Sequence, residues 1–383
     1  MRYITAGESH GKGLTAILEG FPAGVSVSAD AVNAQLKRRQ LGYGRGGRMK
    51  IESDEAQFTA GMFGGVSLGS PIAFFIENRD YAKWQEFTDP VSGDPSPKRL
   101  TAVRPGHADY TGCVKYAFDD ARKVLERASA RETAARVGVG AICRILLENL
   151  GITIASHVTN IGGVVSGSHP LAADGINAQA DASEVRCLDT AAAKGMIAAI
   201  DKAMAAGDTV GGEVEILISG VPAGVGSYAH YDRKLDAVLA MHFTSIQAVK
   251  SVSFGMGAQV ANAFGSAVHD EMFPAEQGGI TRRTNRAGGI EGGMSNGETI
   301  AVRLAVKPIP TLMRGLQTVD IATGKAVTAH PERSDYCAVP AAGVVAENVA
   351  AFALLNELLK VTGGDDYNTI ARRVQEMRER KAV

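Results

Sequence analysis

An internal repetition constrains this chain more than any other feature. Residues 6–25 read AGESHGKGLTAILEGFPAGV and residues 206–225 read AGDTVGGEVEILISGVPAGV. Both open on Ala-Gly, carry a glycine at the same point (Gly11, Gly211), run through an apolar stretch and close on G-x-P-A-G-V. A second pair follows in the same order, GMFGGVSLGSPI at 61–72 and GIEGGMSNGETI at 289–300, both fitting G-x-x-G-G-x-S-x-G-x-x-I. The offsets of 200 and 228 residues require loop insertions, and two matches in one order argue against chance likeness between glycine-rich turns. Each apolar run is short and stops at a Gly/Pro turn, which marks strands rather than helices. The expectation is one domain built from two internal repeats, about 1–150 and 200–330, each a sheet unit carrying a helix, with a helical C-terminal region. The halves differ where chemistry would sit: Glu8-Ser9-His10 in the first turn, Asp208-Thr209-Val210 in the second. Duplication lets one copy specialise, so His10 reads as functional and its counterpart as vestigial.

Composition narrows the function. The 45 glycines exceed the roughly 27 expected at about 7% usage and imply many turns and close backbone approaches. With 40 Lys+Arg against 41 Asp+Glu, the chain lacks the basic excess of a nucleic-acid or acidic-membrane binder. Cys113, Cys143, Cys187 and Cys337 are scattered without C-x-x-C spacing, which fits a reducing cytoplasm better than a disulfide framework or zinc ribbon. The opening MRYITAGESHGKG has no apolar h-region, and no uninterrupted apolar run approaches about 18 residues, so neither signal peptide nor membrane span is expected.

The helical expectations are 29–40, capped near Ser28 or Asp30 and stopped at Gly42; one long helix over 119–150; an Ala-rich helical stretch over 170–206; 231–250; 340–361 with Pro340 in its first turn; and a charged amphipathic tail over 365–383.

Several glycine patterns mislead. Gly11-x-Gly13-x-x-Ala16 has the dinucleotide spacing, but an apolar run follows it where a helix is needed. Gly42-x-Gly44-x-x-Gly47 leads into MKIES, which reads as a strand, and Gly7–Lys12 misses the P-loop spacing. The segment from Lys37 to Arg48 is more informative. Five cations (Lys37, Arg38, Arg39, Arg45, Arg48) fall in twelve residues, and arginines on glycine-rich backbone suit bidentate phosphate or carboxylate binding. A solvated basic helix end explains Lys37–Arg39 but not Arg45 and Arg48. An RNA-binding RGG segment would need repetition and aromatics that are missing. Arg122, Arg127, Arg131 and Arg136 lie at spacings that keep them near one helical face, with local pairing to Glu126 and Glu132 as the plain alternative. His107 sits on the sharp Arg104-Pro105-Gly106-His107 turn, and its imidazole exchanges protons near neutrality. Asp335 reads as a helix N-cap ahead of Pro340.

Together, G-E-S-H-G, R-R-x-x-G-Y-G-R-G-G-R, R-P-G-H-A-D, L-E-R-A-S-A-R-E-T, F-G-S-A-V-H-D-E, N-R-A-G-G-I-E-G-G and R-S-D-Y-C-A-V-P resemble the chorismate synthase family, in motif order from residue 2 to about 360. The resemblance implies an α/β (α+β) fold, a pseudosymmetric duplicated β-α-β sandwich with helices between antiparallel-type sheets. It implies a lyase that converts 5-enolpyruvylshikimate 3-phosphate to chorismate and phosphate by anti-1,4 elimination. The family requires reduced FMN without net redox change and forms homotetramers. Carried over motif by motif, His10 resembles the general acid for the departing phosphate, and His107 the group that stabilises anionic reduced flavin. Asp335 resembles the relay for the C6 proton taken by the flavin N5. Flavin contacts fall on Arg127, Ala128, Ser129, Gln247, Ala248, Gly292, Lys307, Pro308, Ile309, Pro310, Thr311 and Arg333. Arg39 and Arg45 match positions that bind anionic substrate or NADPH, the latter as a flavin reductant, with Arg48 and Arg131 as further substrate contacts. Ala128 departs from the serine often found there, a change a backbone contact would survive. A flavin-dependent oxidoreductase acting on a phosphorylated small molecule is the alternative, weakened by the missing dinucleotide signal.

Overall fold

The computed structural model describes residues 1–46, 53–167, 170, 172–275, 279–329 and 335–380. The first sheet comprises β1 (Arg2–Ala6), β2 (Gly13–Glu19), β3 (Gln57–Ala60) and β4 (Ile72–Glu77), in the antiparallel order β1-β2-β4-β3. The second comprises β5 (Thr153–Ile161), β6 (Val164–Val165), β7 (Gly212–Ser219), β8 (Val249–Phe254) and β9 (Ile300–Val306), in the order β8-β9-β7-β5-β6. Leaving aside the short edge strand β6, β5, β7, β9 and β8 follow one another as β1, β2, β4 and β3 do.

Strand alternation decides which face is buried. Ile72, Phe74 and Ile76 of β4, and Ile300, Val302, Leu304 and Val306 of β9, all point into the core. The principal helices are α1 (Ala29–Gln40), α2 (Arg122–Ala128), α3 (Thr133–Asn149), α4 (Thr190–Ala205), α5 (Leu235–Thr244), α6 (Val339–Thr362) and α7 (Tyr367–Glu379), with α3 and α6 forming the central layer between the sheets. These two pack on each other, α3 also against β2 and α6 against β5 and β7. The α6 helix is long and apolar enough to cross a membrane, yet 94% of its most apolar window is buried inside the fold, as in a core helix.

The repeated glycine motifs make the same hairpin twice. Met62–Phe63 pairs with Val66–Ser67 around Gly64-Gly65, and Ile290–Glu291 with Met294–Ser295 around Gly292-Gly293. All four turn glycines have positive φ (53°, 80°, 59° and 86°), as a two-residue type I′ turn requires. The serine of each motif then ties the hairpin to the preceding G-x-P-A-G-V segment. Ser67 Oγ donates to the Pro22 carbonyl (2.6 Å) and accepts from the Val25 N–H (3.0 Å); Ser295 Oγ does the same with Pro222 (2.6 Å) and Val225 (2.9 Å).

The expected helix over 119–150 is broken. Ser129 is extended (ψ 141°), and its hydroxyl accepts from the Arg131 N–H, opening a 3₁₀ turn at Ala130–Glu132 before α3. A serine offers the backbone this alternative partner, which hydrophobic spacing does not register. The stretch 170–206 is likewise two helices, Ile176–Asp181 and α4, because Asp189 caps the latter through the N–H groups of Ala191 and Ala192. The expected helix over 231–250 is a 3₁₀ turn at Tyr231–Arg233, then α5, then β8. Asp335 does not cap α6, whose N-cap position is Ala338. The MKIES strand falls largely on residues outside those described.

A buried charge cluster joins the layers. Glu347, fully enclosed on α6, binds Arg38 (2.8 Å), Arg144 (2.7 Å) and Arg186 (3.0 Å) and accepts from Ser156 Oγ (2.6 Å). Burial alone would push its carboxyl up, but the three guanidiniums override this and bring it down to about 2. A depressed carboxyl contributes stability that is complete above its unfolded value of about 4.3 and disappears as pH falls through the folded value. Urea midpoints should therefore drop between roughly pH 4.5 and 2, and Glu347→Gln should flatten that part of the profile. Where α3 crosses α6, a Cβ on Gly140 would lie 2.1 Å from the Asn348 carbonyl oxygen. Gly140→Val should cost about 3 kcal/mol of unfolding free energy. Gly167→Ala, which meets nothing within 4 Å, should leave the urea midpoint unchanged.

Candidate active site

His10 follows β1 in a turn closed by Gly11, whose N–H donates to the Glu8 carbonyl (3.2 Å). Its ring meets α2. His10 Nδ1 lies 2.9 Å from Glu126 Oε1, and its backbone N–H donates to Glu126 Oε2 (2.8 Å). The Trp84 ring leans over the imidazole, tilted by 32° at 4.1 Å between centroids, with the Arg122 guanidinium 5.5 Å and the Lys98 ammonium 5.4 Å from the indole. Asn78 Nδ2 stitches the same turn by donating to the carbonyls of Glu8, Ser9 and Gly11 (3.0, 3.3 and 2.8 Å).

Asn78 also leads to the arginines, since its Oδ1 accepts from Arg131 Nε (2.8 Å). Arg131 Nη1 binds Asp54 Oδ1 (2.5 Å), and Asp54 Oδ2 receives Arg39 Nη1 (3.3 Å). Arg39 further donates to Thr133 Oγ1 (2.9 Å) and the Ala130 carbonyl (3.1 Å). Burial, with Arg131 and Arg45 nearby, lowers the Arg39 guanidinium to about 10 against the raising effect of Asp54, and it remains a cation at neutral pH. Arg45 pairs with Asp335 (2.7 Å), which also accepts the Gly46 N–H (2.6 Å). Arg39, Arg45, Arg131, Asp54 and Asp335 are thus one electrostatic neighbourhood. Arg48 and Arg333 lie outside the described residues.

The other histidine is held in a similar manner. His107 Nδ1 lies 2.6 Å from Asp109 Oδ1, and Asp109, wholly buried, also takes Arg104 Nε (2.8 Å) and Nη2 (3.0 Å). Burial raises the Asp109 carboxyl, but hydrogen bonds from His107 and Arg104 outweigh it and hold the group well below the usual range. Arg104 Nη1 reaches Thr311 Oγ1 (3.1 Å), and Lys307 Nζ donates to the Gly106 carbonyl. The R-P-G-H turn therefore rests on the Lys307–Thr311 loop, in which the Ile309 carbonyl accepts Thr209 Oγ1 (2.7 Å).

Gln247-Ala248 lies between the two sets. Gln247 Nε2 donates to Glu132 Oε2 (3.3 Å), and the Ala248 carbonyl accepts the Lys307 N–H (2.9 Å). Ala248 has φ 71°, an uncommon conformation for a residue with a Cβ, which bends the chain between α5 and β8. Arg127, just before Ala128 and Ser129, is tied to the carbonyls of Thr5 (2.8 Å) and Gly7 (3.1 Å) at the end of β1. Contacts thus link His10, Arg127, Ser129, Arg131 and Arg39 into one set, and His107, Lys307 and Thr311 into another joined through Gln247-Ala248. Gly292 stands apart in the hairpin turn next to Ile300, whereas Lys307 follows the opposite end of β9, roughly 20 Å along the strand. Glu126, Asp54, Asn78 and Trp84 were not singled out by sequence reasoning for this site. Their partners are distant in sequence (His10 and Glu126 by 116 positions), and nothing local marks them.

A family model described as chorismate synthase matches residues 1–359. "Chorismate synthase" of Alkaliphilus metalliredigens (strain QYMF) is 52% identical over 371 residues, covering 97% of each chain. "Chorismate synthase 1" of Bacillus thuringiensis (strain Al Hakam) is 50% identical over 385 residues, covering 99% of each. A solved structure titled "Crystal Structure of Chorismate Synthase" superposes with a TM-score of 0.78 at 38% identity, over 98% of this chain and 96% of that one. Fold and relatives define an enzyme of the lyase class that acts on a small molecule. The chain belongs to the chorismate synthase family and has that family's function.

Asp54 has no exposed side-chain surface and serves two guanidiniums. Asp54→Asn would leave both partly uncompensated and should cost about 3–5 kcal/mol in a urea titration.

Proposed function

We propose that the chain releases phosphate from 5-enolpyruvylshikimate 3-phosphate by anti-1,4 elimination to give chorismate, with reduced FMN as cofactor. The observation that carries this reading is the family match over residues 1–359, in which both turn-borne histidines belong to long motifs. In the structure His10 has a buried carboxylate at Nδ1, an arrangement that fixes the ring for proton transfer at its other nitrogen, and His107 Nδ1 lies against both Asp109 and Arg104.

The substrate carries a phosphate and two carboxylates. Arg39 and Arg131 share one carboxylate, Asp54, and their guanidiniums suit bidentate binding of an anion, with Arg45 beside them. His10 protonates the departing phosphate oxygen, and Asp335 accepts and passes on the proton lost from the substrate. NADPH, where it reduces the flavin, binds at Arg39 and Arg45; Arg48, as a substrate contact, and Arg333, as a flavin contact, belong to the proposal through their motifs.

A fit for the flavin is supported by Gln247, whose buried Oε1 has no hydrogen-bond partner among the described residues and so offers an acceptor for a ring N–H. Gln247-Ala248, Arg127-Ala128-Ser129 and the Lys307–Thr311 loop would hold the cofactor, with His107 beside its anionic ring; Gly292, which stands apart from them, belongs to the reading through its motif alone. When bound, the reduced flavin supplies an electron-rich ring that lowers the barrier to C–O cleavage. A cytoplasmic homotetramer completes the reading. It is supported by four buried free cysteines and by Ile4 (61% exposed) and Ile17 (41%), which face outward on the first sheet.

Phosphate release from the substrate with photoreduced FMN, under anaerobic conditions and without nicotinamide, is the expected result. Stoichiometric consumption of NADPH would instead indicate an oxidoreductase. His10→Ala should lower turnover by about 10²–10⁴-fold while leaving flavin affinity nearly unchanged.

A further inference from the structure

We propose that Glu126 is the positioning residue of His10, fixing the imidazole with its proton on Nδ1 so that proton transfer occurs at Nε2. The proposal rests on the reading of His10 as the proton donor.

Three observations carry it. First, the carboxylate chelates the histidine: one oxygen lies 2.9 Å from Nδ1 and the other takes the His10 backbone N–H at 2.8 Å. Ring and main chain are therefore set by one group, which fixes side-chain torsion as well as tautomer. Second, the chelate is built into the fold. The Glu126 carbonyl accepts the Ser9 N–H (2.9 Å), Thr88 Oγ1 donates to the His10 carbonyl (2.8 Å), and Trp84 covers one face of the ring. Third, the exposure is graded. The Glu126 side chain is 7% exposed, whereas 16% of the His10 side chain stays open, so the carboxylate is shielded while the imidazole is still reached from outside.

An ionised carboxylate accepts hydrogen bonds and donates none, so Nδ1 must carry a proton in this pair. In the transfer, the Nε2–H bond breaks and an O–H bond forms on the phosphate, which leaves with the C–O electron pair. The imidazolium becomes the neutral Nδ1–H tautomer, still bonded to Glu126. Without the carboxylate the ring can rotate or take the other tautomer, and the donor nitrogen is no longer the one presented.

The test uses full-length wild type, Glu126→Gln, Glu126→Asp and His10→Ala, each with reduced FMN and ¹⁵N-histidine labelling. Glu126→Gln keeps size but removes charge and should lower kcat by about 10–100-fold with KM little changed. Its His10 ring ¹⁵N shifts should move away from the Nδ1–H pattern, and Glu126→Asp should recover part of both. A folded Glu126→Gln enzyme with wild-type kcat, or one that is slow but keeps wild-type His10 shifts, overturns the proposal and leaves His10 as the donor. Wild-type turnover by His10→Ala would remove both the proposal and the reading beneath it.

Discussion

The architecture depends on the close crossing of α3 and α6. Each has a sheet at its back, and at Gly140 a hydrogen stands where any side chain would collide with the Asn348 backbone. That approach sets the spacing of the two sheets. It also sets where the N-terminal end of α3 points, and this end is where the candidate site residues gather. Ser129, Arg131 and Thr133 precede or open α3, and α2 brings Glu126 to His10 immediately before them. The break at Ser129 matters for this reason. A continuous helix would have kept Arg127 and Arg131 on nearly one face, whereas the extended serine sends Arg127 to the end of β1 and Arg131 inward to Asp54.

Neighbouring cations in this fold do different jobs because of what they are buried against. Arg38 and Arg39 are consecutive on α1. The first turns to Glu347, whose charge is outnumbered by three guanidiniums in a cluster that also includes Asp181. The second turns to Asp54 beside the His10 turn. Neither is the solvated helix end that the run Lys37–Arg39 suggests in isolation. Removing charge from water is costly, so both clusters persist only with close geometry.

Much of the fold was legible because its signals are local. A Gly-Gly pair inside G-x-x-G-G-x-S-x-G specifies a two-residue turn, and both copies form it with the same serine bonds. Ser28 before α1 and Pro340 in α6 are equally local, and both helices begin where those residues place them. The helix over 119–150 failed because the competing bond, Ser129 to the Arg131 N–H, is invisible to periodicity. In the site, the histidines were conspicuous on their glycine turns, but their carboxylates were not equally so. Asp109 lies two residues from His107 within the same motif. Glu126 looks like an ordinary i,i+4 partner for Arg122, which it approaches at 3.8 Å, and its stronger bond is to a turn formed by β1.

The two sheets share a strand order, but the loops at their corresponding strands are held differently. The turn bearing His10 is supported by Asn78 from the segment after β4. Its counterpart at 208–210 stands next to the segment after β9, where Thr209 donates to the Ile309 carbonyl and a Cβ at Gly211 would collide with the Val306 carbonyl. In the first half the turn carries the imidazole and the post-strand segment props it. In the second the turn props, and the post-strand loop Lys307–Thr311 is presented to the R-P-G-H turn. Two sheets of like strand order thus carry one asymmetric arrangement, because the loops at corresponding strands exchange the roles of support and presented surface.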